Sequence, residues 1–228
     1  MIVGLTVDGQ AVELPDGEMT LLEALRERLG ITSVKDGCSP QGQCGCCTVL
    51  VDGVPRVSCV TPLRRVANRA VTTLDGLSPA RREKLVDSFV QSGASQCGFC
   101  TPGIICRLWP LGESATAAEV SRVLLAHLCR CTGWQPIVEA ALNALSPSPS
   151  GPGYAPADAA PGSSGRPRSE VALGTSLDAH SDTAPGTSLR RPRDLQAAAR
   201  RAALEGGTPQ QVGPDVVLGR AAFADDTA

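Results

Sequence analysis

Aromatic side chains are scarce in this chain, with three Phe, two Trp and one Tyr in 228 residues. Basic runs are short as well. No block exceeds Arg-Arg, and 21 Lys and Arg against 23 Asp and Glu leave a formal net charge of −2. Nucleic-acid recognition calls for a basic footprint and often for stacking platforms, so both shortages argue against it. No apolar run approaches the roughly 18 to 20 residues of a membrane helix. The opening stretch Met1 to Val7 lacks the basic segment and small-residue cleavage site of a secretory signal. No twin-arginine pair opens the chain either. These absences predict a cytoplasmic protein.

Cysteine is abundant: Cys38, Cys44, Cys46, Cys47, Cys59, Cys97, Cys100, Cys106, Cys129 and Cys131 make ten, all between residues 38 and 131. A disulfide framework needs an oxidising compartment. In a reducing one, adjacent and near-adjacent cysteines read as ligands of a metal or cluster. No Ser/His/Asp set, carboxylate pair, P-loop or dinucleotide glycine fingerprint accompanies them. No bond-making site is therefore expected in this chain, and the cysteines point to metal or cluster binding.

The hydrophobic pattern divides the chain into four parts, at 1–76, 77–145, 146–210 and 211–228. In the first, residues 3–7 and 11–14 flank Asp8-Gly9, and residues 48–51 and 55–60 flank Asp52-Gly53. Both read as β-hairpins, because glycine supplies the positive φ of the tight turn. Between them, Leu21, Leu22, Leu25 and Leu29 form a helical stripe with Thr20 and Glu23 as a capping box and Gly30 as the stop. Residues 70–74 make a last strand. The result is a small mixed sheet gripping one helix, with no aromatic residue in its core. A domain this small buries only about 60% of its unfolded surface, so a bound cluster would add needed stability. From Ser78 the period becomes helical, with helices expected from 79, over 101–109, 116–128 and 136–145. After Leu145 the composition turns to Pro, Gly, Ser and Ala. This predicts a disordered linker over 146–210, with one alanine-rich helix conceivable at 194–204.

Within the first part, Cys38-x5-Cys44-x2-Cys47 with Cys59 beyond a hairpin is close to the plant-type [2Fe–2S] pattern. Three thiolates come from one loop and one from a neighbouring strand. Gly37, Gly42 and Gly45 let backbone N–H groups approach the anionic sulfurs. Cys46 falls out of phase and reads as a small thiol outside the set. Structural zinc is the rival, in a zinc-stabilised cysteine-rich adaptor without a redox role, although zinc loops usually repeat Cys-x2-Cys. A free-standing ferredoxin is a third reading.

In the second part, Cys97-Gly98-Phe99-Cys100 and Cys129-Arg130-Cys131 are by spacing alone ambiguous between zinc and iron–sulfur. Their surroundings are more specific. Gln96 to Gly103, followed by Leu128-Cys129-Arg130-Cys131-Thr132-Gly133-Trp134-Gln135-Pro136-Ile137, resembles the second-cluster signature of the molybdenum hydroxylases. These are the xanthine dehydrogenase, aldehyde oxidase and aerobic carbon monoxide dehydrogenase family. Gly37-Cys38 through Cys44-Gly45-Cys46-Cys47-Thr48-Val49 and Cys59 resembles the family's first-cluster loop.

The resemblance covers residues 1–145 and implies an α+β fold. An N-terminal β-grasp, plant-ferredoxin-like domain would be followed by an all-α four-helix domain, each with one [2Fe–2S] cluster. It implies Cys38, Cys44, Cys47 and Cys59 as ligands of the first cluster, and Cys97, Cys100, Cys129 and Cys131 as ligands of the second. Gln96 and Cys131 fall where family members touch the pterin. Electrons would pass from a molybdenum–pterin (molybdopterin-type) centre through both clusters toward FAD or another acceptor. The implied partners are a molybdenum-binding catalytic subunit or domain and an FAD-binding subunit, with no nucleic acid and no membrane span.

Three departures stand out: the Cys38–Cys44 loop is one residue longer than usual, Cys46 replaces a common Ala, and His127 replaces the usual Asn. His127, at a helix end, is expected to be solvated or capping and no ligand. Cys106 is expected to be a buried small hydrophobe, and Arg64 to Arg69 a solvated surface. Because Phe99 and Trp134 flank the second group, and Ser39, Gln41 and Gln43 the first, the second is expected to be the better shielded. Finally, Pro209 to Asp226, with Gly219-Arg220-Ala221-Ala222-Phe223-Ala224-Asp225-Asp226 as its core, resembles the opening of a molybdenum-binding subunit. On that reading 211–228 starts a domain it does not complete, and all of 146–228 should be disordered in isolation.

Overall fold

The computed structural model describes residues 2–145 and 213–220. The 146–210 linker, the 194–204 helix and Phe223 lie outside the described residues. Five strands come first: β1 (Ile2–Val7), β2 (Gln10–Pro15), β3 (Thr48–Val51), β4 (Val54–Val57) and β5 (Ala70–Thr72). They form one mixed sheet in the order β2-β1-β5-β3-β4. β1 and β2 are antiparallel with Leu5 opposite Val12, β3 and β4 antiparallel with Thr48 opposite Val57, and β5 joins the hairpins, parallel to β1 and antiparallel to β3. Both Asp-Gly turns have positive φ at both central residues: Asp8 +48° and Gly9 +83°, Asp52 +49° and Gly53 +77°. This geometry matches the strands' right-handed twist. Each turn aspartate is also tied to β5 or its flank. Asp8 accepts from the Thr73 N–H and hydroxyl at 2.7 Å each, and Asp52 from the Ala70 N–H at 2.9 Å and Arg69 Nε at 2.6 Å.

The expected helix begins as α1 (Leu21–Glu23), with the Thr20–Glu23 capping box in place, and continues as a wider π-helical turn over Ala24–Arg28. It buries Leu21, Leu22, Ala24 and Leu25 against Val3, Leu5, Val49, Val51 and Val71. This core is aliphatic, as its composition requires. The strand expected to run to residue 60 stops at Val57, and Ser58–Val60 coils into a 3-10 turn. The Ser58 hydroxyl donates to the Cys47 carbonyl at 2.8 Å, which draws Cys59 inward.

Four helices follow: α2 (Pro79–Gln91), α3 (Thr101–Leu108), α4 (Ala117–Val123) and α5 (Trp134–Leu145). All four were expected. However, α4 ends five residues early, because the Leu128 N–H pairs with the Cys44 carbonyl at 3.0 Å. A chain that must reach the other domain cannot stay helical. The helical core holds Leu85, Phe89, Ile104, Ile105, Leu108, Val120 and Ile137, together with Leu50, Leu74, Cys44 and Cys46 from the sheet side. The two domains thus share buried surface.

The tail expectation needs correction at one place. Gly213 to Arg220 is ordered around a short helix, α6 (Pro214–Val217), with Val216 and Val217 4% and 1% exposed. The physical reason is that Val217, which has no core of its own, enters that of the helical domain, while Val216 is covered against Gly98.

Candidate metal centres

Residues 37–47 fold into a loop whose sulfurs turn inward while Ser39, Gln41 and Gln43 face solvent. Gly37, Gly42 and Gly45 bring backbone and sulfur close together. A Cβ on Gly37 would lie 3.0 Å from both Cys44 Sγ and Cys46 Sγ. Backbone N–H groups point at the sulfurs, Gln41 N at Cys38 Sγ (3.4 Å) and Cys59 N at Cys47 Sγ (3.5 Å). Burial alone would raise the Cys38 thiol, but N–H groups of Gln43, Cys44 and Gln41 outweigh it and hold the thiol at about 6. Cys44 is pushed up by burial, and Cys59 to about 12 by burial and neighbouring Cys47. A pocket of this kind favours holding negative sulfur once a cation is present to share it.

Residues 95–100 form the second loop, closed by Ser95 Oγ and Thr101 Oγ1 at 3.0 Å, ahead of the α3 N-terminus. Cys129 and Cys131 come from the turn before α5. Cys129 is lowered to about 4, chiefly by the Cys100 thiol, with the Thr132 hydroxyl 3.1 Å away. Cys100 is driven strongly upward by Cys129 and by burial, and Cys97 upward by burial.

All eight sequence-assigned cysteines therefore fall into two groups. Within them, Cys38 meets Cys44, Cys47 meets Cys59, Cys97 meets Cys131 and Cys100 meets Cys129, and Cys44 also meets Cys46. Among the described residues no three His, Cys, Asp or Glu side chains converge to hold one ion.

Three expectations meet the structure here. Cys106 is indeed buried, at 1% exposure. The shielding expectation reverses: Cys44, Cys47 and Cys59 are buried and Cys38 is half-buried, while Cys97 and Cys131 are exposed. Trp134 is itself 38% exposed. Gln96 is half-buried next to Cys97. Likewise, His127 is neither solvated nor a cap. It is 4% exposed, with Nε2 3.3 Å from Thr48 Oγ1, and burial and the Arg107 charge lower it to about 4. Its ring lies so close over Gly45 that a Cβ there would come within 2.5 Å of Cδ2.

Gly103 is a residue whose role the sequence did not expose. Two helix positions past Thr101, it abuts the Gly45 carbonyl, and a Cβ on it would lie 2.7 Å from the Cys46 carbonyl. Glycine at this point allows α3 of the second group to touch the loop of the first. Only its neighbours in space carry the signal.

Residues 5–67 match the family described as 2Fe-2S iron-sulfur cluster binding domain, and residues 73–142 the family described as [2Fe-2S] binding domain. The aldehyde oxidoreductase of Megalodesulfovibrio gigas is 40% identical over 152 residues, 62% of this chain but only 16% of that protein. The chain thus spans about a sixth of that relative's length. The nicotine 6-hydroxylase small subunit of Paenarthrobacter nicotinovorans is 41% identical over 132 residues, covering 57% of this chain and 79% of the subunit. A chain in the crystal structure of quinoline 2-oxidoreductase from Pseudomonas putida 86 superposes with a TM-score of 0.58 at 36% identity, over 64% of this chain and 93% of that one. Two cluster-binding domains in this succession, and most of a small subunit matched at such identity, mean that this chain belongs to the family of xanthine dehydrogenase and aldehyde oxidoreductase iron–sulfur subunits.

Proposed function

We propose that this chain is the electron-transfer component of a molybdenum-containing hydroxylase, carrying electrons from a molybdenum–pterin centre toward FAD or another acceptor. The observation that carries the proposal is the gathering of free cysteines in two loops on two domains in direct contact. In the units 1–76 and 77–145, Cys38, Cys44, Cys47 and Cys59 would hold one [2Fe–2S] cluster, and Cys97, Cys100, Cys129 and Cys131 the other. Such a cluster, when bound, takes up and releases one electron at a time. The residues present fit it, with thiol donors, N–H groups aimed at sulfur, and glycines where bulk would intrude. The contact of Gly103 with Gly45 and Cys46 keeps the two centres near each other.

The exposed end of the second group faces the partner. Cys97 and Cys131 are exposed, and Leu125 and Leu128, shortly before Cys129 in the chain, are 81% and 62% exposed. Surface of this kind is covered in a complex. Gln96 and Cys131 would there approach the pterin of a molybdenum-binding subunit or domain. The 211–228 stretch fits that assignment as the opening of such a domain in a fused polypeptide. Among the described residues no helix is long and apolar enough to cross a membrane, and we assign the protein to the cytoplasm. The test is metal content and colour. Purified protein should be brown, bleach on dithionite and hold about four irons per chain, with two EPR signals after reduction. A colourless protein with stoichiometric zinc would overturn the proposal and revive the adaptor reading.

A further inference from the structure

We infer that Gly213 to Arg220 is an internal docking strap. It seats in a groove built jointly by the Cys97–Pro102 turn, α2 and the Ser33–Lys35 loop, and it anchors the polypeptide beyond residue 220 beside the second cysteine group. Contacts from three separate parts of the chain meet on it. Val217 enters the helical core with Leu85 and Phe89 of α2. The Val216 carbonyl rests on Gly98, the turn residue between Cys97 and Cys100, where φ is +82° and a Cβ would also fall 2.7 Å from Val216 Cγ1. Gly219 closes over Pro102 and the stem of Lys35, with Cβ-to-atom distances of 2.7 and 3.4 Å. Lys35 itself is 0% exposed.

Arg220 reaches Asp75 at 3.4 Å, and the same carboxylate accepts the Ser33 hydroxyl at 2.6 Å. The ion pair is more than a third exposed on both sides, so it sets register more than strength. The strap closes on itself through the Leu218 N–H to the Pro214 carbonyl and the Arg220 N–H to the Asp215 carbonyl, at 2.8 Å each. A single helical turn cannot hold its shape alone in water. Its order therefore comes from the groove, where Gly98 on the groove side and Gly219 on the strap side leave no room for a Cβ.

The groove touches the sheet domain, the helical domain and the junction between them. A seated strap thus keeps the Cys97–Cys100 turn in place and fixes where the following chain emerges. None of this depends on what the cysteines bind.

Hydrogen exchange by mass spectrometry on the full chain tests it. Amides of 216–220 should exchange at least about tenfold more slowly than in a synthetic peptide of residues 209–224. In Val216→Asp/Val217→Asp they should exchange at the peptide's rate, and amides of 97–103 should speed up as well. Cleavage within 146–212 followed by gel filtration gives an independent reading: the C-terminal fragment should co-elute with the wild-type body and separate from the double variant. Peptide-like exchange of 216–220 in the wild type, unchanged exchange at 97–103 in the variant, or separation of the wild-type fragment would each overturn the strap. Iron measured on the same samples keeps this result distinct from the cluster assignment, since either can fail while the other holds.

Discussion

Cys44, Cys47 and Cys59 sit beneath a folded loop against an aliphatic sheet, whereas Cys97 and Cys131 come to the surface at the ends of helices. Judged by their sequence neighbours, the two groups should be the other way round. Polar Ser39, Gln41 and Gln43 surround the first, and Phe99 and Trp134 flank the second. The loop resolves the paradox: its polar side chains point outward, so the sulfurs point inward. Near the second group, Trp134 begins a helix whose buried face, Ile137, Val138, Ala140 and Ala141, shares a core with Cys100, while Trp134 itself stays 38% exposed. Exposure of a ligand follows from which way the backbone turns, and flanking hydrophobicity is a poor guide to it.

Removing single ligands breaks the comparison most severely. Cys129→Ser or Cys97→Ser should abolish or alter one EPR signal and leave the other, with iron falling from about four to about two per chain. Cys47→Ala should affect only the other signal, while Cys46→Ala and Cys106→Ala should keep both. Loss of the first signal in Cys46→Ala, with Cys47→Ala spared, would reassign the loop.

Next in size is the contact between the groups. Gly103→Val would drive side-chain atoms into the Gly45 and Cys46 carbonyls, at a cost of about 3 kcal/mol. Calorimetry should show the single unfolding transition of the wild type lowered or split in two. An unchanged melting profile would mean that the domains do not pack through this glycine.

An aqueous paramagnetic relaxation agent sharpens the exposure difference. In the isolated chain the second signal should relax more strongly than the first, because Cys97 and Cys131 are exposed. Equal relaxation would erase the asymmetry. Its disappearance on adding a molybdenum-binding partner would locate the docking face.

The smallest effects compare the domains by their helix caps. Thr20→Ala in the sheet domain and Thr116→Ala in the helical one each remove a capping box and should cost about 1 kcal/mol in chemical denaturation. The Thr116 N–H and hydroxyl hold the Glu119 carboxyl below its ordinary range. Its contribution is therefore present above the unfolded pKa and fades as pH falls through the lowered value. The cost of Thr116→Ala should shrink there. A cost independent of pH would show that the box adds nothing through Glu119.

By itself the sequence determined whatever depends on neighbours along the chain. Both Asp-Gly hairpins, the Thr20–Glu23 cap, four helices and an aliphatic first core could be read from it, because turn chemistry and hydrophobic period act over a few residues. Cysteine spacing likewise marked two loops, since ligands on one loop must be close in sequence. Tertiary structure alone decided what depends on elements meeting across distance. His127 is buried because Thr48 and Gly45 lie over it, 79 residues away in Thr48's case. Helix α4 ends at Val123 so that Leu128 can pair with Cys44. Gly103 and Gly98 matter through backbones that approach them from other domains or from the tail. Val217 finds a core only where the helical domain provides one, because burial is a property of the assembled surface and a short apolar segment carries no address for it.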